Sequence, residues 1–169
     1  METTEKIVEA YCRYIKGWFT LPNLRVENTE VDLIAQDKDG NYYHIEVHVS
    51  VSGAFLKLTA QLYTANEEQT RAKAAGARNK IGFYVEKKFA GFRMVELFKQ
   101  IGIDYAKVQK IIVAWDAQPE AVQEAEQHSI GVWLMPDLIR EMLASVKRSK
   151  AYYSDDTMRT IQIVGRTLA

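Results

Sequence analysis

Two apolar runs and the turn between them decide the fold: Thr29-Glu-Val-Asp-Leu-Ile-Ala35, then Asp37-Lys-Asp-Gly-Asn41, then Tyr42-Tyr-His-Ile-Glu-Val-His-Val-Ser-Val51. β-Branched and aromatic residues flank an Asp-Gly pair, which is the signature of a hairpin. Because side chains alternate along a strand, Tyr42, His44, Glu46, His48 and Ser50 share one face. Tyr43, Ile45, Val47, Val49 and Val51 share the other, and that set belongs to the core. Charged groups therefore stand inside strands: Asp32 in the first, Glu46 and His48 in the second. If the strands pair around the turn, Asp32 lies beside Glu46 or one residue pair away. Two converging carboxylates are costly unless a cation offsets them.

Outward from the hairpin, Ile7, Val8, Tyr11, Tyr14, Ile15 and Trp18 recur every three or four residues, predicting a helix over 3–18 with Gly17 at its end. Leu24 to Val26 reads as a further short strand. The stretch from Phe55 to Ile103 lacks alternation and is rich in Ala, Glu, Lys and Gln, which predicts two or three helices. Lys110 to Trp115 and Ile130 to Leu134 are compact apolar runs suited to strands covered on both faces. Pro119 and Pro136-Asp137 each open a helix. The order predicts an α/β sandwich with a mixed sheet, antiparallel at its start and parallel at its end. It forms one domain over residues 1–146, with the helical block 55–103 inside it. Residues 147–169 are a tail whose packing, including the patch Ile161 to Val164, the pattern leaves open.

Composition limits the function classes. A chain of 169 residues, 47% apolar and 26% charged, is large enough for a sizeable core and too small for two independent catalytic domains. Lys plus Arg (22) balances Asp plus Glu (22), so affinity for nucleic acid has to come from charge segregation. The single cysteine, Cys12, excludes an intrachain disulfide and a Cys-based zinc site and reads as a small core residue. No apolar run reaches the length of a membrane span, and Met1 is followed by Glu2 rather than a basic and then apolar leader, so a soluble cytoplasmic protein is expected. No Gly-rich phosphate loop is present, which argues against an enzyme acting on a small phosphorylated metabolite.

Two carboxylates with oxygen ligands nearby suit Mg²⁺ or Mn²⁺, ions that polarise a phosphoryl group and acidify bound water. The plain alternative is that Asp32, His44, Glu46 and His48 line a solvated hairpin face. Glu30-Val-Asp32-Leu-Ile-Ala, a turn, and Ile45-Glu46-Val-His48 resemble the core of the PD-(D/E)xK nuclease superfamily, the fold of restriction endonucleases and archaeal Holliday-junction resolvases. The resemblance covers residues 3–52 closely and the later element order loosely. It implies a restriction-endonuclease-like three-layer sandwich with a helical insertion. It also implies metal ligation by Asp32 and Glu46, with a first-helix glutamate, Glu5 or its fallback Glu9, joining the metal shell. The sequence departs from the motif at His48, where the superfamily has lysine. Three roles remain open for His48: a working base or metal ligand, a relic in a binding site, or a spectator while a migrated lysine of the following helical block, chiefly Lys57, acts.

Other histidine readings are weaker. His44 and His48 would be ~13 Å apart along an extended strand, too far to share one zinc ion without a bulge. His44 is expected at the surface and His128 in a loop. Gln61 and Tyr63 only loosely resemble a nuclease glutamine-tyrosine motif, and a helix with Leu58, Leu62 and Ala65 inward is favoured there.

Charge is segregated. Arg71, Lys73, Arg78, Lys80, Lys87, Lys88 and Arg93 face a single acid, Glu86, within their span, whereas acids outnumber bases from Met1 to His48. Base beside an acidic metal site suits a phosphodiester enzyme, because backbone contacts supply much of the affinity. The alternative is an ordinary solvated helix face. Phe83, Tyr84, Phe89 and Phe92 interleave with these bases and offer faces for stacking on unpaired bases, but helical spacing places most of them in the core. The expectation is a metal-dependent endonuclease-like phosphodiesterase with DNA, rather than RNA, as partner; a homodimer is compatible with it. The competing expectation is a nuclease-like scaffold that binds nucleic acid or protein without catalysis.

Overall fold

The computed structural model describes residues 2–26, 29–49, 57–63 and 78–168. Helix α1 (Thr3–Ala10) runs into a π-helical turn (Tyr11–Lys16), and Gly17, at φ +70°, ends it in the left-handed region that glycine reaches without strain. Strands β1 (Phe19–Val26), β2 (Thr29–Gln36) and β3 (Tyr42–His48) follow. Next come the two-residue strand β4 (Lys57–Leu58), helix α2 (Ile81–Phe83) with a π-helical turn Tyr84–Lys88, and helix α3 (Phe92–Gln100). The C-terminal half holds β5 (Gln109–Ala114), β6 (Asp116–Ala117), α4 (Pro119–Gln127), β7 (Ile130–Leu134), α5 (Met135–Arg148) and α6 (Asp156–Thr167).

The main sheet has the order β1-β2-β3-β5-β7. β1, β2 and β3 are antiparallel neighbours, and β3, β5 and β7 are parallel. This is the mixed α/β sandwich expected, with helices on both faces. On one face Ile45, Ile111 and Val113 pack with Val8 and Cys12 from the N-terminal helix, Leu138 and Met142 from α5 and Met158 from α6. Cys12 is the small buried residue anticipated. On the other face Ile112 and Ala114 meet Leu58, Ile81, Tyr84 and Ala121, while Val31 and Ile34 meet Met94, Leu97 and Phe98 of α3.

Several expectations change. β1 is longer than Leu24 to Val26 and carries Pro22, which an edge strand tolerates because it needs no ladder hydrogen on its open side. The segment around Leu58 is not helical: Leu58 is buried in a strand paired with β6, and Leu62 is exposed. Ala65, and most of the remaining helical block before Arg78, lie outside the described residues. The C-terminal stretch is folded: Met158 and Gln162 of α6 are buried, and the patch Ile161 to Val164 is part of that helix.

Candidate active site

The pairing of β3 creates the site. β2 and β3 are in register from Gln36↔Tyr42 to Leu33↔Ile45, where their ladder ends. On its other edge β3 stays paired with β5 through His48↔Ala114. The sheet therefore forks beyond Ile45, and Asp32 and Glu46, the next opposing positions in that register, stand at the fork on the same face. The Asp32 carboxylate replaces the lost ladder: its Oδ2 accepts the Val47 N–H at 2.8 Å. A cavity of about 380 Å³ opens there, lined by Glu5, Arg25, Asp32, Glu46, His48, Arg78 and Lys88.

Glu46 is 1% exposed and held at both oxygens. Lys88 Nζ lies 2.5 Å from Oε2, and His44 Nε2 lies 2.8 Å from Oε1. His44 is fully buried, which corrects its expected surface position: Phe89, Phe98 and Tyr105 cover that face of β3. Its Nδ1 meets the Tyr105 hydroxyl at 2.9 Å, and that hydroxyl donates to the Phe89 carbonyl. Tyr105 having spent its hydrogen, the His44 Nδ1–H must be the donor to it. Burial first, and the Lys88 charge second, push the His44 pKa down to about 3, so the ring is neutral and its Nε2 is a bare acceptor. The hydrogen in the His44–Glu46 contact then belongs to Glu46. That agrees with a Glu46 pKa raised to about 7, where burial outweighs the lowering by Lys88.

Asp32 is raised to about 6, by burial first and then by the Glu46 charge, with Lys88 opposing. Lys88 itself is raised because the pull of Glu46 and Asp32 outweighs its own burial, so its ammonium remains charged. Two carboxylates and one ammonium are thus packed where solvent screens little.

The remaining sequence candidates divide. Glu5 lines the cavity, its Oε2 accepts the Glu2 N–H at 2.9 Å, and its pKa is raised by burial and by Asp32. Glu9 does not line it; Glu9 accepts the Thr20 hydroxyl and pairs with Arg13. His48 reaches the cavity, but its Nε2 donates to Asn79 Oδ1 at 2.7 Å, and burial lowers its pKa. Lys57 is elsewhere, paired with Asp116 at 3.2 Å. The lysine at the carboxylates is Lys88, which the sequence grouped only with the basic run. Asn79 and Tyr105 carried no signal. Of that run, Arg71 and Lys73 lie outside the described residues; Arg78 borders the cavity, Lys80 bridges to Thr59, and Lys87 and Arg93 line a neighbouring groove. His128 is exposed at the end of α4.

A hard divalent ion fits this donor set. Mg²⁺ is ordinarily held by one or two carboxylates together with water and substrate phosphate, and Asp32 and Glu46 supply two once Glu46 gives up the hydrogen it shares with His44. Among the described residues, no group of three or more His, Cys, Asp or Glu is arranged to hold a metal.

No protein-family model matches the chain, and no curated protein matches it by sequence. Two solved structures resemble it. A crystal structure of a repair endonuclease from Pyrococcus abyssi is 15% identical, with 80% of this chain and 47% of that chain covered and a TM-score of 0.43. A complex of EndoMS with double-stranded DNA is 15% identical, with 78% and 45% covered and a TM-score of 0.41. The chain spans about half the length of each. Among the described residues, no helix is long and apolar enough to cross a membrane.

Proposed function

We propose that the chain is a metal-dependent phosphodiesterase acting on DNA, with Asp32 and Glu46 as metal ligands and Lys88 as the lysine of the site. The observation that carries this reading is the convergence of these three side chains at the fork of the sheet, in one cavity open to solvent. Bound Mg²⁺ or Mn²⁺ would polarise the phosphoryl group and lower the pKa of a water. The protein residues do the rest. Lys88 holds a positive charge in a poorly screened site, where it can orient a nucleophile or stabilise charge developing on phosphorus. Arg25 and Arg78, both in the cavity lining, offer contacts to backbone phosphates. His48, tied to Asn79, holds the wall in place.

The test is cleavage of supercoiled, linear and branched DNA in Mg²⁺ and Mn²⁺, comparing the wild type with Asp32→Ala and Lys88→Met. Activity in the wild type and its loss in both variants support the reading; full activity in Asp32→Ala eliminates it. One observation favours the second reading, a binding module without catalysis: Lys88 and His44 already satisfy both oxygens of Glu46. Calorimetry with Mn²⁺ separates the two, because the degenerate site gives no heat that depends on Glu46.

A further inference from the structure

Beside the carboxylate cavity lies a second concavity of about 660 Å³, and the two share Glu30 and Lys88 in their walls. It runs from the start of β2 to the junction between the π-helical turn and α3. Its charged side chains are the bases Lys87, Lys88 and Arg93 and the acids Glu30 and Glu86. Lys88 faces Glu46, while Lys87 and Arg93 are exposed, the Lys87 ammonium lying over the Tyr63 ring. The same wall carries Phe92.

Phe92 differs from the other aromatic residues of its segment. Tyr84 and Phe89 are buried and Phe83 packs against the core, but Phe92 is 77% exposed. Gly91, at φ +104°, makes the turn that starts α3. The helix then points Met94, Leu97 and Phe98 inward, leaving Phe92 on the groove side. An exposed aromatic ring costs hydration without gaining a packing partner. Sharing the groove wall with Lys87 and Arg93, it forms the combination that holds single strands: a flat π surface for a base and positive charge for the backbone. A base inside a duplex shows no free face to such a ring, whereas an unpaired base does.

We infer that the groove around Phe92 binds a single-stranded segment of DNA, with Phe92 stacking on an unpaired base and Lys87 and Arg93 contacting its phosphates, and that this track leads the strand to the carboxylate cavity. The inference rests on the proposed function for its ligand class and adds to it the kind of DNA recognised. It needs neither metal nor cleavage, so it is tested in EDTA.

The experiment measures fluorescence anisotropy of a labelled oligothymidine and of a duplex of mixed sequence, with the wild type, Phe92→Ala, Phe92→Leu and Phe92→Trp, after thermal melts confirm folding. Loss of one stacked base weakens binding by roughly ten-fold or more. The expected result is that loss for Phe92→Ala and Phe92→Leu on the single strand, less than a two-fold change on the duplex, and wild-type affinity for Phe92→Trp. Phe92→Leu binding as the wild type does, or Phe92→Ala weakening both DNAs equally, overturns the inference while leaving the nuclease reading intact. A wild type that binds neither DNA overturns both.

Discussion

On one face of β3, Ile45, and Val49 just beyond the strand, are buried among hydrocarbon from α1, α5 and α6; on the other, His44, Glu46 and His48 are buried to a similar depth among hydrogen bonds. Burial of the first face is favourable everywhere it occurs. Burial of the second is tolerable only because each polar group has a partner: Tyr105 and Glu46 for His44, Lys88 for Glu46, and Asn79 for His48. A hydrocarbon face of the same shape would be simpler to stabilise. The polar face also opens into a solvent cavity.

Four comparisons sharpen that contrast. The largest effect is on activity: Asp32→Ala reduces DNA cleavage by about a hundred-fold or more, measured as the initial rate in Mn²⁺, whereas Ile45→Val on the opposite face leaves it within a few-fold. Lys88→Met comes next. It leaves a buried carboxylate without its ammonium and costs about 3–5 kcal/mol at pH 8 by urea unfolding. That loss shrinks toward pH 5, where Glu46 is protonated with or without Lys88. Ile45→Ala costs about 2–5 kcal/mol at both pH values, since burial pushes the Cys12 thiol and Tyr11 hydroxyl packed on its face up, away from that range.

The third effect is a pH slope. The Asp32 pKa is raised by folding to about 6, so the folded protein holds a proton that the unfolded chain releases. The resulting stability is fully present below about pH 4 and lost as pH rises through 6. Asp32→Asn removes this slope. In metal-free buffer, its stability relative to the wild type rises by up to about 3 kcal/mol between pH 4 and pH 8. A constant difference would mean that Asp32 is not in the desolvated, like-charged setting described. The smallest effect is that of His48→Gln, which retains a donor for Asn79. Cleavage stays within a few-fold of wild type if Lys88 is the working cation, and a hundred-fold loss would return His48 to the chemistry.

What was legible in the sequence follows the same division. The hairpin, its turn and the shared face of Asp32 and Glu46 come from alternation and an Asp-Gly pair, which are local signals. The burial of His44 was not legible, because it depends on Phe89, Phe98 and Tyr105 arriving from elements whose docking no local pattern specifies. Lys88 is 42 residues beyond Glu46 and reads as one more base in a basic run until α2 packs across the sheet. Lys57 and Lys88 belong to the same block without strand alternation, and nothing local in the sequence ranks one lysine above the other. A two-residue strand such as β4 is too short to show alternation. The exposure of Phe92 among inward aromatics likewise depends on where Gly91 turns the chain.

The most direct test of the central claim is anomalous diffraction from crystals soaked in Mn²⁺. The account predicts a peak at the fork of the sheet, within ligand distance of both Asp32 and Glu46 and absent in Glu46→Gln. A peak elsewhere, or none at these carboxylates while Lys88 keeps its contact with Glu46, would contradict it.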